Sequence, residues 1–166
     1  MAGQFFGVLC ILVLAGVLST GCSSLLVRPQ VSVTAVSLSS ITLSNLEVEV
    51  TFSVENQNPV GITLESLSFD LYSKRNDDWF YLSHGEKTGI EIAPGHNEVT
   101  IPVVVNNYEL LASLASSIAR GEITLQVRGT ASAGVFGLTW DIPFIHTETV
   151  PLHVPWKVGD AITTLA

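Results

Sequence analysis

Four histidines, His84, His96, His146 and His153, are the side chains of this 166-residue chain best suited to metal or proton-transfer chemistry. A zinc site on a helix would need two of them at His-Glu-X-X-His spacing, and no such spacing occurs. His146 and Glu148 stand two residues apart, so on a strand they share one face and could supply half a metal site. A solvated strand face is the competing account, and the spacing favours it. His84 and His96 fall in turn-like stretches. Asp77 and Asp78 could chelate weakly, but they sit where a charged hairpin tip is expected. Ser113, Ser116 and Ser117 lie in a helical pattern without the Gly-X-Ser-X-Gly elbow of a nucleophilic serine. No glycine-rich phosphate loop occurs. These residues predict no catalytic group, no metal and no cofactor.

The two cysteines are more informative. Cys10 lies inside an apolar run from Phe5 to Leu18, roughly 14 residues against the about 20 that a membrane span needs, so the run suits a signal-peptide core. The run ends in "LSTGCSS", with Gly21 directly before Cys22. Small residues before such a cysteine resemble the lipobox of bacterial lipoproteins, which implies lipid attachment at Cys22; an ordinary signal peptide or short anchor is the alternative. Residues 1–21 are accordingly read as a lipoprotein-type signal peptide, and 22–30 as the lipidated cysteine with a short tether. That tether spans less than about 30 Å. The expected setting is the cell envelope, with the membrane as partner through the lipid anchor. Ser23 stands where Asp often signals inner-membrane retention, which favours the outer membrane, on its periplasmic face. After cleavage no free thiol and no internal disulfide would remain, so thiol catalysis and cysteine-based zinc binding drop out.

Composition bounds the rest. Hydrophobic residues make up 47% of the chain and charged ones 13%, enough apolar surface for a packed core. The formal net charge is -8 and the seven basic residues are scattered, which disfavours a phosphate-tracking nucleic-acid binder, so no nucleic-acid partner is expected.

The elements that must position these residues read as β-structure. Leu46, Val48, Val50, Phe52 and Val54 share one parity, and Glu47, Glu49, Thr51, Ser53 and Glu55 the other, so one face is core and one is wet. The next strand begins with Ile62 and Leu64 inward and then switches to Leu67, Phe69 and Leu71, which predicts a bulge near Glu65-Ser66. Lys74 to Asp78 is expected as a hairpin tip, Trp79–Leu82 and Gly89–Ile92 as short strands, and one or two of Trp79, Phe80 and Tyr81 as exposed. Pro102 in the run Val99–Val105 marks an edge strand. Leu110, Leu111, Leu114, Ala115 and Ile118 follow helical spacing, with Asn106 and Glu109 as a capping box and Gly121 as the far cap. Strands are expected around Glu122–Thr130 and Gly137–Val150, with Val150 to Trp156 as a last edge or tail. The fold class that follows is mostly β: an immunoglobulin/fibronectin-III-like antiparallel sandwich of about seven strands with one helix.

One polar stretch interrupts this rhythm, Asn56-Gln57-Asn58-Pro59. Asn56 and Asn58 can bond to nearby backbone, and Pro59 fixes its own φ and restricts Asn58, so turn chemistry is the favoured account and a ligand site the alternative. The stretch "VENQNPVGITLESLSFDLY" resembles the late embryogenesis abundant type 2 family, whose core is the water-stress-and-hypersensitive-response (WHy) domain. "IEIAPGHNEVTIPVVV", "ITLQVRGTASA" and "IPFIHTETVPL" resemble its later turn and closing strands, while "SKRNDDWFYLSHGEK" departs from it. The resemblance implies that 31–156 is one such β-sandwich domain and 157–166 a C-terminal tail. It also implies a non-enzymatic role in water-stress or desiccation tolerance, with client proteins as partners. A lipid- or protein-binding module of the envelope, acting in lipid transfer or as a scaffold, is the alternative it carries.

Overall fold

The structure, a computed structural model, describes residues 26–41, 45–106, 117 and 120–152. Seven strands fill most of them: β1 (Gln30–Ile41), β2 (Leu46–Asn56), β3 (Ile62–Arg75), β4 (Asp78–Ile92), β5 (Gly95–Val105), β6 (Glu122–Val135) and β7 (Leu138–Pro151). They form two antiparallel sheets, β1–β2–β5 and β4–β3–β6–β7, packed as a sandwich of the immunoglobulin/fibronectin-III kind.

Alternation is what builds it. In β2 the side chains of Leu46, Val48, Val50, Phe52 and Val54 are fully buried, and the intervening acids face outward. Phe52 spans the two sheets: its ring lies 5.3 Å from Phe69 of β3 and 5.3 Å from Phe144 of β7. Beneath it, Gly85, Phe69, Gly129 and Phe144 occupy one row across the four-stranded sheet. A Cβ on Gly85 would lie 2.4 Å from Phe69 Cζ, and one on Gly129 2.2 Å from the Ser68 carbonyl oxygen. Glycine next to a large ring keeps this layer at interior packing density.

Bulges adjust the aim of the strands. Glu65 is the extra residue of β3 against β6, at the position where the apolar parity switches. Leu82 is extra in β4 and turns inward, 4% exposed. Thr34 and Ser39 are extra in β1, and each hydroxyl donates to a β2 carbonyl.

Several elements differ from the sequence expectation. β4 is one strand through His84, Gly85 and Glu86, because every residue from Asp78 to Ile92 except Leu82 at the bulge and Gly89 pairs with β3. His84 and His96 therefore lie within strands, not turns. The β3–β4 tip is only Asn76-Asp77, with Asn76 at φ 55°. Pro102 does lie on an edge strand, β5. The helix expected over 106–121 falls largely outside the described residues, as do the expected tail beyond Leu152 and its His153. Within the described part of that helix, Ser117 is buried and accepts from Arg120 Nη2 at 3.2 Å, and Gly121 has φ 75°.

The sandwich has two distinct ends. The proximal end gathers the start of β1, the β2–β3 turn (57–61), the β4–β5 turn (93–94) and the β6–β7 tip, Phe136-Gly137. The distal end holds the β3–β4 tip and the chain leaving β7. Along the two open sides, side chains tie sheet to sheet. Glu148 Oε2 of β7 accepts from the Val36 N–H of β1 at 2.8 Å, and Ser83 Oγ of β4 donates to the Val104 carbonyl of β5 at 3.1 Å.

Candidate functional site

The proximal end holds the two most deeply buried asparagines of the described residues. Asn56 and Asn58 are 1% and 2% exposed. Asn56 Nδ2 donates toward the carbonyls of Val60 (2.9 Å), Ala93 (3.3 Å) and Ile92 (3.4 Å), joining the β2–β3 turn to the end of β4. Asn56 Oδ1 accepts from the Asn58 N–H at 3.1 Å and from Asn58 Nδ2 at 3.0 Å. The remaining capacity of Asn58 goes to Val27: Oδ1 accepts from the Val27 N–H at 2.6 Å and Nδ2 donates to the Val27 carbonyl at 2.8 Å. Both amides are thus occupied within the protein, as buried polar groups must be. Pro59, exposed beside them, has no N–H to satisfy and holds Asn58 out of helical geometry.

Val27 and Arg28 belong to the stretch 22–30 read as a tether, yet both are held against the domain. Arg28 Nη2 donates to the Asp141 carbonyl of β7 at 2.6 Å. The stretch is bound because Asn58 offers Val27 the donor and acceptor that a neighbouring strand would. Cys22 itself lies outside the described residues.

The sequence candidates for chemistry are dispersed. His84 Nδ1 lies 2.9 Å from Asp70 Oδ1 on the outer face of the four-stranded sheet. His96 Nδ1 lies 2.9 Å from Glu55 Oε1 on the other sheet. His146 Nε2 and Glu148 Oε2 are 3.4 Å apart, on the parity that also carries Ile142 and Val150 into the core. This corrects the expectation of a solvated face for that pair: β7 is an edge strand, so its inward positions at the margin can hold polar groups, and Glu148 uses the place to cap β1. Among the described residues, no three of His, Cys, Asp and Glu come together as metal ligands. Asp77 and Asp78 are exposed at the distal tip. Ser113 and Ser116 lie outside the described residues.

Two surface features were not legible as sites. On the outer face of the four-stranded sheet, the Arg128 guanidinium lies 5.1 Å from the Tyr72 ring, which meets Tyr81 edge-on at 5.9 Å. Gln126 accepts from Arg128 Nε and donates to Thr147 Oγ1 at 2.8 Å. Of the Trp79–Tyr81 run, Tyr81 is exposed, Trp79 and Phe80 are half-buried, and Arg75 stacks on Phe80 at 4.1 Å. The second feature is an open cleft of about 480 Å³ at the proximal end, between Gly61–Thr63 and Glu91–Ala93.

Comparison with known proteins agrees with this architecture. Residues 51–148 match the late embryogenesis abundant protein family (LEA_2). An uncharacterized protein of Methanocaldococcus jannaschii is 30% identical over 135 residues, 81% of this chain and 77% of that one. The solution structure of an Arabidopsis thaliana protein superposes with a TM-score of 0.63 at 19% identity, over 83% of this chain and 92% of that one. A second solution structure, of a candidate late embryogenesis abundant (LEA) protein, gives a TM-score of 0.51 at 16% identity, covering 75% of this chain and 71% of that one. With its Asn-Pro turn, its seven-strand sandwich and a family match across most of the sandwich, the chain belongs to the late embryogenesis abundant protein family, LEA_2.

Proposed function

We propose that this protein is a non-enzymatic, lipid-anchored member of its family that protects envelope components or proteins when water is lost. The observation that carries the reading is the outer face of the three-stranded sheet. It presents Glu47, Glu49, Glu55 and Glu98 among Ser and Thr hydroxyls, and β1, β2 and β5 contain no Lys or Arg. Such a one-signed hydrated face repels its like and resists association as concentrations rise on drying. The body behind it is a filled core with both sides tied, a shape suited to a spacer more than to a reactor. The lipobox-like "LSTGCSS" supports anchoring at Cys22, in the envelope and with the outer membrane preferred.

The alternative, lipid carried between the sheets, has less in its favour. An acyl chain would have to displace fully buried Phe52, Leu64, Leu67 and Leu125, and to part the Glu148–Val36 and Ser83–Val104 ties. Three measurements test the reading. Intact mass of protein from its own host should show cleavage before Cys22 with acyl groups attached. A client enzyme dried and rehydrated with the purified protein should keep more activity than one dried with an equal mass of an inert protein. Equal loss, together with unchanged survival of a deletion strain after drying, removes the protective role.

A further inference from the structure

The two hairpin tips of the four-stranded sheet make a controlled pair. Each places one non-glycine residue at positive φ, Asn76 at 55° and Phe136 at 50°. At the distal tip that residue is Asn, which tolerates this conformation, flanked by Lys74, Arg75, Asp77 and Asp78. At the proximal tip it is Phe, a bulky residue strained there and 82% exposed. Neither packing nor turn chemistry accounts for the choice. Its neighbours repeat the pattern: Leu138 is 52% exposed and Val27 46% exposed at the same end. Three of the six large exposed hydrophobic residues among those described thus collect at one end.

That end is also where the chain arrives from Cys22. Asn58 grips Val27 there, and only four residue steps separate Cys22 from Leu26, a reach below about 15 Å. A cysteine acylated at position 22 would sit at headgroup level, so this end could not stand far from the bilayer. We propose that the Phe136-Gly137 tip, with Leu138 beside it and Val27 at the same end, is a membrane-contacting surface that seats the proximal end in the headgroup layer. Phe and Leu side chains bury favourably at the boundary between headgroups and acyl chains, and a tip strained for exposure in water has a use there. Glu65, whose carboxylate lies over Gly134, and exposed Glu91 confine the contact to the tip. The acids of the other sheet are left facing the aqueous space. This surface rests on the anchoring reading, since the tip alone offers too few side chains to hold the protein on a membrane.

The test uses the full acylated chain in phosphatidylcholine vesicles with brominated acyl chains. Tryptophan is introduced singly as Phe136→Trp, Leu138→Trp or Asn76→Trp, and the emission of the native tryptophans is subtracted. Quenching of the added emission several-fold stronger at the two proximal positions than at Asn76→Trp is the expected result. Equal quenching at all three, on vesicles that carry the acylated protein, overturns the proposal. Intact mass separates that outcome from loss of the anchor: protein without acyl groups removes the anchoring reading, and this surface falls with it.

Discussion

The side-chain amide of Asn58 pairs with the peptide of Val27 in both directions, at 2.6 and 2.8 Å, across 31 positions of sequence. A side chain here does what a strand edge usually does, and it decides where the N-terminal segment meets the domain. The same amide bonds to Asn56, which reaches across to the end of β4, so one pair of asparagines ties three chain segments.

Replacing Asn58 by Ala should therefore cost about 1–3 kcal/mol, since the Val27 peptide loses both its partners and buried Asn56 Oδ1 loses one of its two donors, keeping the backbone N–H of residue 58. Urea denaturation measures the loss. Limited proteolysis should also cut near Val27 sooner than in the native protein, whereas a distal change such as Asp77→Ala should alter neither.

Gly129→Ala should be among the most damaging single-methyl additions. The new Cβ would meet the Ser68 carbonyl at 2.2 Å and Phe69 Cβ at 2.6 Å, and backbone cannot give way as a side-chain tip can. A loss of about 3 kcal/mol or more is expected. At Gly85→Ala the nearest atoms all belong to the Phe69 ring, a side chain that can shift, so a smaller loss of about 1–3 kcal/mol is expected. Thermal unfolding of the two variants gives the order.

Glu148→Ala should leave the Val36 N–H of β1 without its acceptor and open the margin between the sheets. A cost of about 1–3 kcal/mol is expected, with Glu148→Gln recovering most of it because its carbonyl can still accept. Size-exclusion chromatography should show more self-association for the Ala variant, since an uncapped edge strand pairs with its like.

Phe136→Asn should stabilise the isolated protein by about 1 kcal/mol, because Asn-Gly suits two consecutive positive φ values and the exposed ring contributes little packing. Chemical denaturation in detergent-free buffer is the measurement. A loss of stability instead would mean that the ring packs on the domain in solution.

Much of this was legible from residue order alone. Strict alternation in β2 announced a sheet with one buried face, because side chains of a strand point to opposite sides and only one side meets the core. The parity switch between Leu64 and Leu67 located the bulge at Glu65, and Pro102 marked an edge strand. Asn56, Asn58 and Pro59 announced a turn. The span of β4 was less legible: Ser83 to Lys87 carry no apolar alternation, and only their pairing with β3 keeps them extended.

Local pattern by itself determined most of the strands outside β4, their inner faces and the class of fold, since alternation is set by neighbours within a few residues. Tertiary structure alone decided that Glu148 caps Val36 from 112 positions away, that Asn58 holds Val27, and that Phe136 shares an end with the incoming chain. Period-two burial tells each side chain which face to take, but it carries no information about which strand lies alongside or which turns meet at the same end. Those relations come from closing two sheets over one core.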